Sequence, residues 1–224
     1  MTTAADILAI LRERILAGQF APGTRMHQEQ LSSMLNISRT PIREALGMLA
    51  NQGLVVYEPN RGYAVRSFSP EEIGAAFEVR ARLEGLACAL AAQRGMTPSH
   101  LAVLAGCVAE GDAILSKGRL DPADLAPYRQ MNVTFHETII NQSGNPFIPD
   151  FVRQCHNVPL ASDRVFVWED YGVIARSHDD HHRIAAAIRL RDAERADHLM
   201  REHVRNAGQI LLRTLASHEI APHG

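Results

Sequence analysis

Three histidines, His178, His181 and His182, stand within the stretch SHDDHHRIAAAI. Imidazole nitrogens suit zinc, nickel, copper, cobalt or iron, provided that helices hold several rings toward one point. Helical periodicity sorts the three. Ile184, Ala185 and Ile188 mark the apolar stripe, and His181 lies three and four residues before the first two. His178 extends that row by another three. His182 falls about 200° from Ile184 at roughly 100° per residue, so it points outward.

Two further stripes carry polar residues inward. One runs Tyr128, Asn132, Phe135, His136, Ile139, Ile140, with Asn132 and His136 four apart on one face. The other runs Ala196, Leu199, Met200, His203, Ala207, Ile210, Leu211, with His198 turned away. Three inward histidines on three helices, with one amide beside them, form a set able to hold a divalent transition metal. Two plainer readings stay open: core histidines satisfied by hydrogen bonds, and rings that meet a ligand directly. Arg80 lies on the stripe Ile73, Phe77, Arg80, Glu84, where it can pair with Glu84 or meet an anion.

Elements must position these groups. From Ser69-Pro70 onward, breaks at Thr97-Pro98, Lys117-Gly118, Asp121-Pro122, Gly144-Asn145-Pro146 and Arg191-Asp192 separate six expected helices. They cover residues 70–94, 98–116, 122–142, 146–163, 168–190 and 192–216, an antiparallel bundle with short loops.

The first sixty-six residues read differently. Ile7, Leu8, Leu11 and Ile15 keep helical spacing up to Gly18, and a short second helix places Leu31, Met34 and Leu35 on one face. In SRTPIREALGMLANQG, Ser38 or Thr40 caps a third helix with the stripe Ile42, Leu46, Leu49. LVVYEP and YAVRSF then flank Asn60-Arg61-Gly62 as a hairpin. The fold class is therefore mainly α: a winged helix-turn-helix of three helices and a hairpin wing over 1–68, then an all-α bundle over 69–224. Arg39, Thr40 and Arg43 sit where a recognition helix meets base edges, and arginine offers a bidentate fork to guanine. Arg61 and Gly62 bring the wing to the sugar-phosphate chain.

Charge follows this division. Residues 1–66 hold seven arginines and five acidic residues; the rest holds 16 basic and 20 acidic residues and ten of the 11 histidines. No apolar run approaches the roughly 18 residues of a membrane span. Cys88, Cys107 and Cys155 are odd in number with no CxxC pair, which favours a reducing, cytoplasmic setting. No HExxH, serine elbow or Glu-x-x-His repeat is present, and Glu137 points away from the His136 face, so a metal-dependent hydrolase is disfavoured.

The stretch PGTRMHQEQLSSMLNISRTPIREALGMLANQGLVVYEPNRGYAV resembles the DNA-binding domain of GntR-family bacterial regulators. That resemblance implies DNA contacts at Ser38, Arg39, Thr40, Arg43 and Gly62; Glu29 stands where some members carry an arginine. EVRARLEGLACALAA, NVTFHETIINQSGN and HHRIAAAIRLRDAERADHLMREHV are similar to the FCD ligand-binding domain of the FadR subfamily, with the compact VanR-type branch the better fit. The resemblance implies metal ligands at Asn132, His136, His181 and His203, Asn132 replacing the usual aspartate, and an effector carboxylate at Arg80. The expected metal is zinc, with nickel or another divalent ion as alternatives. Asparagine brings no charge, so a small organic or sugar acid is expected to complete the site. A homodimer repressing from a palindromic operator is the expected working form.

Overall fold

The computed structural model describes residues 3–158, 161 and 170–219, with side chains through Ala216. These fall into two compact units: residues up to Ser69 with Asn157 and Val158, and residues from Pro70 to His156 and again from Ala161.

The first unit opens with α1 (Ala4–Leu16), α2 (Gln28–Leu35) and α3 (Arg39–Asn51). Thr3 starts α1 through a capping box: its hydroxyl accepts from the Asp6 amide and the Asp6 carboxylate accepts in return. Asn36 adopts the left-handed conformation at φ 54°, which turns the chain from α2 into α3. Ser38 is the N-cap of α3, but its hydroxyl makes no capping bond, contrary to the sequence expectation.

Ile7, Leu11, Ile15, Leu31, Ile42, Leu46 and Leu49 close one core with Val55 and Val65. Met34 departs from expectation. Leu31 and Leu35 are a full turn apart and face inward, whereas Met34 sits at the stripe's edge, 45% exposed, its Sδ 3.0 Å from an Arg14 nitrogen. Strands β1 (Val55–Glu58) and β2 (Gly62–Val65) pair antiparallel with Glu58 opposite Gly62. The wing turn needs positive φ at Asn60 (64°) and Gly62 (79°), and asparagine and glycine tolerate it.

The second unit contains α4 (Pro70–Arg94), α5 (Pro98–Leu115), a single 3-10 turn at Pro122–Asp124, α6 (Leu125–Gln142), α7 (Ile148–Cys155), α8 (Tyr171–Arg189) and α9 (Ala193–Glu219). Six α-helices among the described residues match the expected order. The helix expected over 146–163 stops at Cys155. Pro159 biases the residue before it away from helix, and positions 159–160 and 162–163 lie outside the described residues, as do 168–169 of the next expected helix.

α4 lies along α9 and also touches α6, α7 and α8; α5 packs against α6 and α8. Close approach of α4 and α9 depends on small residues. A methyl group at Gly208 would come within 2.6 Å of Phe77 Cγ. Asp170 caps α8 by accepting from the Gly172 and Val173 amides. At the far end Arg191 turns the corner into α9 at φ 59° and donates to the Gln93 and Arg94 carbonyls. These ties fix where α8 presents its histidines.

Candidate functional site

In the first unit, the exposed start of α3 presents Ser38, Arg39, Thr40 and Arg43, and the wing turn presents Arg61 and Gly62. Arg39, Arg61 and Gly62 share the wall of a groove with Met26, His27, Gln28, Glu29, Gln30 and Tyr63. The structure adds one partner: Glu29 of α2 lies 2.9 Å from the Arg39 guanidinium. Both side chains are exposed, so the pair is weak and can be exchanged for a phosphate or base edge.

In the second unit, α6, α8 and α9 bring His136, His181 and His203 together in the interior, with ligand atoms within 4.8 Å of one another. His136 and His203 face each other through Nε2, and each of the three rings has a polar neighbour at Nδ1. His136 Nδ1 lies 2.6 Å from Glu84 Oε2, His203 Nδ1 lies 3.7 Å from Asp180 Oδ2, and His181 Nδ1 lies 3.4 Å from His178 Nδ1. Partners behind the ring that fix tautomer and orientation are what metal-ligating histidines require.

The electrostatics agree with this geometry. Burial would raise the Glu84 carboxyl, but the Arg80 guanidinium and the His136 ring together hold it well below the usual carboxylate range. It is therefore an acceptor only, and His136 Nδ1 donates to it. Burial pushes His181 far below its ordinary value, the neighbouring imidazoles reinforcing it. Burial also lowers His203, against the pull of Asp180. Both rings are neutral at pH 7, the form that ligates.

The residues present fit a divalent metal. His181 Nε2 is buried with no hydrogen-bond partner among the described residues, an orphaned nitrogen in a ring that belongs to the cluster. The Nε2 atoms of His136 and His203 lie 3.2 Å apart. Tetrahedral zinc with Zn–N near 2.0 Å spaces its ligand atoms by about 3.3 Å.

Asn132 is buried one turn before His136 on α6. Arg80 is buried, its Nε donating to Glu84 Oε1 at 2.8 Å and one terminal nitrogen to the Ala161 carbonyl at 2.6 Å. That is the intrahelical pairing the sequence left open. His182 is exposed and His198 points to solvent, as their periodicity implied. Sequence reasoning did not assign Glu84 or Asp180 as partners of the clustered rings. Glu84 was visible as a carboxylate on a buried stripe; Asp180, next to His181 in sequence, gave no signal.

Beside His203 opens a cavity of about 400 Å³, lined by Asp170, Gly172, Val173, Arg176, Ser177, Asp180, Asn206, Ala207 and Ile210. Its walls are mostly apolar with a few convergent polar groups, the make-up of a small-molecule site. No helix among the described residues is long and apolar enough to cross a membrane.

Comparison with known proteins agrees with both halves. Residues 3–65 match the model of the bacterial regulatory proteins of the gntR family, and residues 75–206 match the FCD domain. The chain is 28% identical to the HTH-type transcriptional repressor GlaR of Escherichia coli (strain K12) over 96% of this chain and 98% of that one. It is 28% identical to the Nta operon transcriptional regulator of Aminobacter aminovorans over 83% of each. Among solved structures, E. coli McbR/YncC superposes with a TM-score of 0.76 at 22% identity, covering 95% of this chain and 98% of that chain, a likeness of fold. These relatives are named as regulators, not enzymes. The chain belongs to the GntR family of DNA-binding transcriptional regulators and carries an FCD domain at its C-terminal side.

Proposed function

We propose that this regulator is a repressor controlled by a small carboxylate bound beside a divalent transition metal in the second unit, zinc being the first choice. One observation carries the reading: three buried histidines bring ligand atoms within 4.8 Å of one another, the Nε2 of His181 has no hydrogen-bond partner among the described residues, and His203 of that cluster also lines the cavity. His136, His181 and His203 would hold the ion, with Asn132 placed on the same face of α6 as a neutral oxygen donor. Bound there, the ion supplies a Lewis-acid site for an oxygen ligand.

Arg176, Ser177 and Asn206 line the cavity with polar groups suited to an organic or sugar acid, and a 400 Å³ volume suits a ligand of that size. Arg80, engaged with Glu84, then acts by steadying the carboxylate behind His136 rather than by meeting the effector. The compact FCD bundle accords with the VanR-type branch, and GlaR is a repressor by name. On DNA, Ser38, Arg39, Thr40, Arg43, Arg61 and Gly62 are the contacts, and a homodimer on a palindromic operator, in the cytoplasm, is the working form. Effector binding changes operator affinity only through a difference in its affinity for the DNA-competent and DNA-incompetent states.

The test uses untagged protein dialysed against zinc or nickel. Retention of one ion at the cluster, lost in His136→Ala and in His203→Ala, is expected. Candidate carboxylates are then titrated into an operator-binding assay with and without metal. An ion still held at the cluster in both variants overturns the centre. A shift of operator affinity by a carboxylate without metal would mean that the histidines meet the effector directly.

A further inference from the structure

A second group of donors lies on the outer side of α8. His178 and His182 are four residues apart, and Asp112 of α5 faces both. Asp112 Oδ1 lies 3.2 Å from His178 Nε2 and 2.8 Å from His182 Nε2, and the three ligand atoms lie within 4.8 Å of one another. The packing makes room for this. A Cβ at position 111 would overlap the His178 ring, so only glycine lets α5 come close enough for Asp112 to reach both imidazoles. A histidine pair one turn apart with a carboxylate from a second helix is a three-ligand set that leaves a coordination position open.

His178 also touches the inner cluster through its other nitrogen, 3.4 Å from His181 Nδ1. Each neutral ring carries one proton, so the two protons must be arranged consistently. With His181 Nε2 bare toward the inner cluster, its proton sits on Nδ1 and is donated to His178 Nδ1. The His178 proton then sits on Nε2, where it is donated to the Val108 carbonyl at 3.1 Å and to Asp112. A cation on His178 Nε2 requires that nitrogen bare. Its proton moves to Nδ1 and is donated to His181 Nδ1, and the His181 proton moves to Nε2, onto the inner ligand atom.

We propose that Asp112, His178 and His182 form a second divalent transition-metal site, opposed to the inner one through the His178–His181 hydrogen bond. The ligand set stands by itself; only the opposition rests on the inner metal of the proposed function. The exposed Asp112 and His182 make the outer site accessible and its ion exchangeable, while His178 anchors it in the core. Tetrahedral zinc places its ligand atoms about 3.3 Å apart, close to the two distances observed. A regulator built this way senses metal in two ranges, the inner site filling first and the outer one later.

The experiment is a zinc titration of the untagged full-length chain by calorimetry, with bound metal counted by elemental analysis. The wild type is expected to take one zinc tightly and a second more weakly. Asp112→Asn/His182→Gln should take one, and His136→Ala/His203→Ala should also take one, now at the outer site. Without an inner ion to oppose it, that outer zinc should bind about 10- to 100-fold tighter than the second zinc of the wild type, the usual weight of a partner behind a ligating ring. Histidine ¹⁵N spectra of this inner-site variant should show the His181 proton move from Nδ1 to Nε2 on loading. Circular dichroism establishes that each variant is folded.

A wild type that saturates at one zinc, with none left in the inner-site variant, overturns the second site and leaves the inner centre standing. Zinc persisting in a variant that combines all four substitutions also overturns it, because the ion then sits elsewhere. Equal outer affinity with and without the inner ion overturns the opposition. One zinc in the wild type, lost in Asp112→Asn/His182→Gln but kept in His136→Ala/His203→Ala, would uphold the outer site and sink the inner one.

Discussion

Glu84 Oε2 lies 2.6 Å from His136 Nδ1, a contact between α4 and α6 across fifty-two residues of sequence. The other oxygen of the same carboxylate accepts from Arg80 at 2.8 Å, so one buried side chain joins an arginine to one of the three clustered rings. Glu84→Gln preserves the shape but removes the charge. It should weaken metal affinity about 10- to 100-fold, as read by competition with a chromophoric chelator, and it should also lower stability, because Arg80 then faces a neutral amide. Glu84→Ala should also lower stability by about 3–5 kcal/mol, because Arg80 keeps a buried charge without its partner.

The Glu29–Arg39 pair occupies the groove that DNA would enter. Glu29→Ala removes a repulsive carboxylate and frees Arg39, so it should raise affinity for non-operator DNA and steepen the salt dependence. Arg39→Ala and Arg43→Ala should each cost about 1–3 kcal/mol of operator binding if they read bases. Fluorescence anisotropy at several salt concentrations separates the two effects. Equal losses on operator and random DNA would reassign the arginines to phosphates.

Stability of chelator-treated protein should fall with acid. Burial lowers the His181 and His203 rings below their ordinary 6.5, so the unfolded chain binds protons near that pH that the folded chain refuses. The stability they contribute is full above about pH 6.5 and is lost as the pH falls toward their folded values. Melting temperatures taken from about pH 8 down to pH 5 should decline, and the decline should be shallower in His181→Gln. Bound metal should leave over the same range, since protons compete for the ligands.

Arg176→Ala should raise the carboxylate concentration needed to shift operator affinity about tenfold or more, the weight of one charge-assisted hydrogen bond. Metal retention should be unchanged, because Arg176 lines the cavity and is not one of the converging donors. Loss of metal together with effector response would place Arg176 in the metal centre.

Gly208→Ala tests packing alone. The added methyl meets Phe77, a buried residue of α4, and should cost about 1–3 kcal/mol by urea denaturation. DNA affinity of the folded fraction is expected to stay at the wild-type value.

Much of this protein was legible in its residues. Apolar spacing placed the six helices, and the same spacing turned His136, His181 and His203 inward and His182 and His198 outward. A helix has one period, and a polar residue on its apolar stripe must be buried whatever packs against it. The motif SRTPIREAL and the wing glycine carried the DNA-binding face, because turn, helix start and hairpin are local structures. Tertiary structure decided everything that depends on a partner from another helix. Periodicity put Glu84 on a stripe with Arg80 but could not show that α6 would set His136 against it. Nor could it show that Asp180, about 100° round α8 from His181, would reach His203. His178 read as an extension of the His181 row; packing against Gly111 on α5 set its two nitrogens between two clusters. The pattern along one helix says which way a side chain points, and only the packing of several says what it meets.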